Sequence, residues 1–185
     1  PRQAGAANIL NHPYCGGTHF PDIAIMTPVF HGGRVIALSA TMTHQGDVGG
    51  YSRGSLPPNS TEIYQEGLRI PPLKFRSAGE YNDTLVAILR QNSRLPETLM
   101  GDLNAQLAAC TVGSRRLQEL ADRYGAGFLL SVFEELLDRS ETMTRQAHAT
   151  IPAGTYRYVD CLDNDGIHLD KPVRIEVAVT VRDGA

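Results

Sequence analysis

The sequence has no tryptophan, three cysteines, no C-x-x-C pair and no long basic run. Cys15, Cys110 and Cys161 are odd in number and widely spaced, which argues against a disulfide framework and for a reducing compartment, the cytoplasm being the simple reading. No stretch approaches the roughly 18 to 20 consecutive apolar residues of a membrane helix, and "PRQAGAANIL" lacks the apolar block of a secretory signal, so no membrane partner is expected. With 17 basic against 20 acidic side chains and a formal charge of −3, nothing advertises binding to a phosphate backbone, which removes nucleic acid as a partner. Neither a G-x-x-x-x-G-K-[ST] loop nor a strand-linked G-x-G-x-x-G is present, so any ATP used must be bound by another chain. Ser39, Ser52 and Ser55 lack a G-x-S-x-G setting, and Cys15 has no evident activating base, which makes nucleophilic catalysis the weaker option.

What is present is an ordinary globular composition, 42% hydrophobic and 20% charged over 185 residues, enough for one domain or two small ones with a real core. The chain starts at Pro1 and stops at "VRDGA", directly after a strand-like segment, which suggests a single domain or the N-terminal portion of something longer. Residues from Phe20 to Phe30 and from Arg34 to Thr43 are rich in Ile, Val, Met and Ala around His31-Gly32-Gly33, and predict a β-hairpin. Between Gly46 and Pro72, Gly-Gly and Pro-Pro pairs predict a long loop, and loops of that length in a compact domain usually serve a function.

Helical spacing follows. Asn82 or Asp83 caps a helix to about Arg90, and Leu95-Pro96 opens another, with Glu97 in its first turn and Leu99, Leu103, Leu107, Cys110, Leu117 and Leu120 on one face. Tyr124-Gly125-Ala126-Gly127 interrupts it, and Phe128, Val132, Leu136 and Leu137 mark a further amphipathic helix towards His148, so the two long helices are expected to pair as a helical hairpin. "GTYRYVDCL" and "VRIEVAVTV" alternate as strands. The class is therefore α+β: hairpin and loops over 1–75, helices over 80–149, strands over 153–182.

The motif that carries chemistry is a doubled His-x-x-Asp, His19 with Asp22 and His44 with Asp47. A hairpin turning at residues 31 to 33 sets His44 opposite residues 19 to 21, so the two copies meet. Positions three apart fall on opposite faces of a regular strand, but a bend at Pro21 turns His19 and Asp22 together, and three or four ligand-competent side chains then converge. Imidazole and carboxylate suit Zn²⁺, Mn²⁺ or Fe²⁺, and two His with one carboxylate leave positions open for water or substrate. The plain alternative is a set of solvated or hydrogen-bonded side chains. Among the other histidines, His12 is a candidate for an outer hydrogen bond to the site, whereas His31, His148 and His168 read as turn, helix-end and acidic-loop residues. Gly16-Gly17 and Gly49-Gly50 allow close backbone approach to a ligand or simply make tight turns. Glu62 and Glu66, beyond the glycine loop, are candidate bases or substrate contacts.

The runs "LNHPYCGGTHFPDIAIMTPVF", "THQGDVGG", "GSLPP" and "EIYQEGLRIPPLKF", followed in order by "GDLNAQLAACTVGSRRLQELADRYG" and "GTYRYVDCLDNDG", resemble the hydantoinase B/oxoprolinase family over nearly the whole chain. The resemblance implies a B-type subunit, several times longer than this chain, in a hetero-oligomer with a hydantoinase A-type ATP-binding subunit. It also implies ring opening of a small cyclic amide, such as 5-oxoproline or a hydantoin, after phosphorylation by the partner. It implies a metal held by His19, Asp22 and His44, for which Mn, Zn or Fe suits the donor set, and the residues themselves leave Asp47 and Glu66 as the candidate catalytic groups. Two positions depart from the commoner wording: His12, where Asp is usual, and Gln45, where His or Trp is frequent, and they bear on substrate preference. A ketone carboxylase subunit and a non-catalytic assembly subunit are the alternatives.

Overall fold

In the computed structural model, which describes residues 5–182, an antiparallel sheet is built from β1 (Ala7–Leu10), β2 (Asp22–His31), β3 (Arg34–His44), β4 (Leu73–Ser77) and β5 (Glu80–Tyr81). Its order is β3-β2-β1-β4-β5. The terminal residues before Gly5 and after Arg182, including the end of "VRDGA", lie outside the described residues.

The expected hairpin is β2 with β3. Gly32 and Gly33 form its two-residue turn with φ of 55° and 77°, the left-handed conformation that a hairpin following the strand twist requires. Ile36 has no partner opposite, because the register shifts between Val29 and Phe30. That bulge and the short turn place His44 opposite Asp22, whereas the sequence reading set it against residues 19 to 21. The first strand also starts later than expected, at Asp22, because Phe20 and Pro21 are taken up by a buried turn.

β1, β4 and β5 were not foreseen. β1 is four residues long and central, hydrogen-bonded to β2 on one side and β4 on the other, so it is buried at Ala7, Ile9 and Leu10 and shows no alternation long enough to read.

The helices α1 (Asp83–Gln91) and α2 (Pro96–Tyr124) supply the other layer. Asn82 caps α1, its side chain accepting from Leu85 N at 3.1 Å, and Pro96 occupies the first turn of α2. Leu85 and Leu89 of α1 and Leu99, Leu103, Leu107 and Cys110 of α2 are buried in one core with Ile9, Phe20, Ile23, Ile25 and Phe75. The α2 stripe from Leu99 to Cys110 therefore lies on the sheet. It fades beyond Cys110, Leu120 being exposed, where α2 meets the hairpin through polar contacts instead: Gln118 Nε2 donates to Phe30 O at 3.0 Å, and His31 pairs with Asp122 at 3.0 Å.

The chain divides into two compact units, the second starting at Phe128. It contains nearly all of α3 (Ala126–Ala149) and a separate two-stranded sheet of β6 (Gly154–Leu162) and β7 (Val173–Val181), in the order and class expected. In the loop joining the two strands, Asp165 accepts from His168 and Ile167, and these bonds, the His168 side chain foremost, hold its carboxyl well below the usual range. His168 is thus a loop residue, as expected. None of the described helices is long and apolar enough to cross a membrane.

Candidate metal centre

The segment leading into β2 is held from below. Asn11, fully buried, donates through Nδ2 to Phe20 O and to Leu68 O, both at 2.8 Å, and accepts from Ile70 N at 2.7 Å. One side chain thereby ties the end of β1 to the turn before β2 and to the far end of the glycine loop. Nothing in the sequence marked Asn11 except its place between an apolar run and "HP".

Phe20 and Pro21 are buried in the core, and Asp22 N donates to His19 O at 2.9 Å. This closes a tight turn with Phe20 pointing inward and the two residues flanking Phe20-Pro21, His19 and Asp22, facing the same side. The Pro21 bend thus overcomes the opposite-face problem of a regular strand. His44 arrives as the last residue of β3, directly across from Asp22, where paired residues bring their Cβ atoms to about 5 Å. Gln45 N donates to Pro21 O at 2.8 Å and locks the two chains just beyond.

The three side chains converge. Asp22 Oδ2 lies 2.8 Å from His19 Nδ1 and Asp22 Oδ1 lies 3.3 Å from His44 Nδ1, with the imidazole centroids 4.9 Å apart and tilted by 52°. One donor atom from each residue falls within 4.8 Å of the others. Asp22 is the most covered, at 16% side-chain exposure, while His19 and His44 are open at 41% and 48%. His19 Nδ1 is buried and makes no hydrogen bond, its one polar neighbour being Asp22 Oδ2 at 2.8 Å. A buried nitrogen seldom lacks a hydrogen bond, and donors around a tetrahedral ion with bonds of about 2.1 Å sit roughly 3.4 Å apart, against 2.8 Å and 3.3 Å for the two printed pairs and at most 4.8 Å for the set. The residues fit a divalent transition ion with an open side.

Comparison with known proteins gives this arrangement a family. The profile of the hydantoinase B/oxoprolinase family matches residues 2–185. The chain belongs to that family. It is 35% identical over 178 residues to the B subunit of a putative D-/L-hydantoinase from Pseudomonas sp. strain NS671, covering 92% of this chain and 30% of that one. It is 36% identical over 156 residues to the beta subunit of the caprolactamase from Pseudomonas jessenii, covering 84% and 27%. The crystal structure of the ATP-dependent caprolactamase from that organism superposes with a TM-score of 0.81 at 33% identity, over 94% of this chain and 31% of that one. The acetophenone carboxylase delta subunit of Aromatoleum aromaticum is 29% identical over 161 residues, 85% of this chain and 23% of the relative. The chain thus spans about 30% of the length of these hydantoinase and caprolactamase subunits.

In this hydantoinase B/oxoprolinase family chain the second His-x-x-Asp divides. Asp47 is 3% exposed, and both its oxygens are engaged: Oδ1 by Gly49 N and Arg94 N at 3.0 Å, Oδ2 by Arg94 Nη1 at 2.7 Å and Gly54 N at 3.3 Å. Burial pushes its carboxyl up, but the backbone and guanidinium bonds from Arg94 and the Gly49 amide outweigh it and hold the carboxyl below the usual range. Asp47 is the anchor of the glycine loop and stays outside the three-residue cluster, and the catalytic role expected of it does not follow from its surroundings. Gly49 and Gly50, at φ of 93° and 80°, pass so close to Asn92 O and Gln65 O that a Cβ would lie at 2.7 and 2.6 Å, so the pair serves loop packing, the plainer of its two readings.

Glu66 follows a short 3₁₀ turn (Ile63–Gln65) as its half-buried C-cap, and its carboxylate makes no hydrogen bond or ion pair with the described residues. Glu62 takes part in capping that same turn. His12 accepts from Tyr14 N at 3.1 Å and caps the 3₁₀ turn Pro13–Cys15, a local task in place of the outer hydrogen bond weighed for it. Cys15 is exposed. Gln45 is fully buried beneath the cluster, donating to Thr43 Oγ1 at 2.7 Å and to Gln106 Oε1 at 3.3 Å, and Gln106 Nε2 in turn donates to Ile23 O at 2.8 Å. This glutamine pair couples β2, β3 and α2 beside His44, and only one of its members was singled out by the sequence.

Proposed function

We propose that this chain provides the metal-holding part of a B-type subunit in an ATP-dependent cyclic amide hydrolase, opening a 5-oxoproline-like or hydantoin-like ring that an A-type ATP-binding partner has phosphorylated. The observation that carries the reading is the convergence of His19, Asp22 and His44, with a buried His19 Nδ1 that makes no hydrogen bond. A divalent Mn, Zn or Fe ion bound there supplies Lewis acidity and a water acidified to near neutral pH.

The protein residues do the positioning. Asp22 sits between the two imidazoles and is held by the β2–β3 ladder and the Pro21 turn. The half-exposed His19 and His44 leave the outward side for water and a ring carbonyl. Two of the relatives are named as a hydantoinase and a caprolactamase, which act on ring amides, and each name denotes one part of a multi-subunit enzyme. With no nucleotide loop in this chain, ATP is assigned to the partner.

Ketone carboxylation is the second reading, favoured by the likeness to a component of acetophenone carboxylase. The test of the metal reading is elemental analysis of wild type, His19→Ala and His44→Ala, with circular dichroism as the folding control. About one ion per chain, absent from both folded variants, supports it. A metal-free, folded wild type after incubation with Mn²⁺, Zn²⁺ and Fe²⁺ overturns it. ATP-dependent turnover of a hydantoin or lactam panel against a ketone-plus-bicarbonate panel, in the assembled complex, separates hydrolase from carboxylase.

A further inference from the structure

The apolar stripe of α2 has a polar member. Gln106 stands among Leu103, Leu107 and Cys110 at helical spacing, and at 3% exposure it is buried with them. A buried amide needs partners at both of its ends, and here they lie on the two strand ends that carry the cluster. Gln106 Nε2 donates to Ile23 O at 2.8 Å and reaches Thr41 O at 3.5 Å, while its Oε1 accepts from Gln45 Nε2 at 3.3 Å. Ile23 directly follows Asp22, and Gln45 directly follows His44.

The orientation of both amides is set from α2. Ile23 O and Thr41 O can only accept, so the NH₂ of Gln106 must face them and its oxygen must face Gln45. Turned over, the Gln45 amide could accept from the Thr43 hydroxyl, 2.7 Å away, but its oxygen would then meet Gln106 Oε1 with no proton between them. Gln45 therefore presents its NH₂ to Gln106 and Thr43, although this leaves its own Oε1 buried without a hydrogen-bond partner. Asp22 and His44 form the last pair of the β2–β3 ladder, and beyond it the bond from Gln45 N to Pro21 O joins the two chains through the backbone. Gln106 adds a side-chain tie in a site closed to water, where such a bond holds geometry more firmly than it would in solvent.

We propose that Gln106 is a positioning residue that fixes the place of His44 against Asp22 and His19, acting from α2 through Ile23 and Gln45. Its effect on the side chains stands on these bonds alone, and its effect on a bound ion rests on the metal reading above. Loss of an outer hydrogen bond at a metal site costs roughly 10- to 100-fold in affinity, and Gln106, one step further out, is expected at about the lower figure.

The experiment uses the natural full-length chain and four forms of it: wild type, Gln106→Met, Gln45→Met and Leu89→Ala. Methionine fills the space of glutamine with an unbranched chain and removes the bonds, whereas Leu89→Ala opens the core on α1 and touches none of them. In the metal-free protein, deuterated except at histidine, the His19 and His44 rings, with centroids 4.9 Å apart, are expected to give a nuclear Overhauser contact in wild type and Leu89→Ala and to lose it in Gln106→Met. With Co²⁺ as the probe, whose absorption follows the arrangement of its ligands, Gln106→Met is expected to bind about tenfold more weakly with a shifted spectrum. Leu89→Ala is expected to stay within about twofold of wild type with an unchanged spectrum, although it is less stable in urea.

Absence of the ring contact in wild type, or its survival in folded Gln106→Met, overturns the proposal. An equal loss of Co²⁺ affinity in Leu89→Ala also overturns it, because affinity would then follow stability alone. Where Gln106→Met fails to fold, Gln45→Met cuts the same tie from the other side and the same readings decide. In a wild type that binds no divalent ion the metal reading falls, and the ring contact alone decides the positioning role, so the two fail separately.

Discussion

His19-Phe20-Pro21-Asp22 and His44-Gln45-Gly46-Asp47 share one spelling and meet different fates. In the first copy Phe20 and Pro21 sink into the core, the turn closes on the His19 carbonyl, and both polar ends face one side. In the second, His44 ends β3 on the exposed side, Gln45 is drawn into the core, and Asp47 is buried among Arg94 and two glycine amides. The middle residues decide. An apolar pair forces a turn that brings its flanks together, whereas a glutamine and a glycine let the chain run on and carry the second carboxylate elsewhere.

The largest effect expected from breaking this contrast is at Asp22. Asp22→Ala removes the carboxylate between both imidazoles and is expected to lower metal affinity by more than the roughly 10- to 100-fold that loss of an outer hydrogen bond costs, measured by competition with a chelator while the spectrum remains folded. Asp47→Ala is the mirror experiment. It leaves the Arg94 guanidinium and the amides of Gly49, Gly54 and Arg94 without their acceptor, so a loss of about 3 kcal/mol in urea unfolding is expected with metal stoichiometry retained. Loss of the metal in a folded Asp47→Ala chain would erase the distinction between the two copies.

A smaller effect is expected at Asn11, which supports only the first copy. Asn11→Ala leaves the Phe20 and Leu68 carbonyls and the Ile70 amide unmatched and is expected to cost about 2 kcal/mol, with lower metal affinity because the turn carrying His19 loosens. The subtlest test is pH. Because the folded carboxyl of Asp47 is held below its ordinary value, its contribution is present above the unfolded value of 3.8 and is lost as pH falls through the depressed folded value. Unfolding curves between about pH 3 and 6 are therefore expected to show wild-type stability falling towards that of Asp47→Asn at the acid end. Parallel curves would mean that Asp47 is not the titrating anchor.

Much of this was legible where a residue acts through its own neighbours. The Asn82 cap, the helix start at Pro96, the Gly32-Gly33 turn, the β6–β7 pair and the pairing of the His19 and His44 ends all follow from local rules of turn, cap and alternation. The register was misplaced because a bulge at Ile36 has no local signature in "RVIAL". β1 was missed because a four-residue central strand, buried at all but Asn8, is too short to show the alternation that advertises one. The α2 stripe was visible, but its partner was not, since a sheet and a helix make the same demand on it. Asn11 and Gln106 passed unnoticed, being single polar residues whose meaning depends on atoms far along the chain, 57 positions for Asn11 and Leu68 and 83 for Gln106 and Ile23.

The sequence by itself determined the α+β class, the helices and hairpins and the family, because spacing, turn chemistry and block order are written along the chain. The family resemblance had already set Asp22 with the two histidines, but only the tertiary structure decided that Asp47 anchors a loop and that α2 lies on the sheet. The physical reason is that a carboxylate's role is set by what else approaches its oxygens, and those partners, His44 for Asp22 and Arg94 for Asp47, come from elements that only folding brings together.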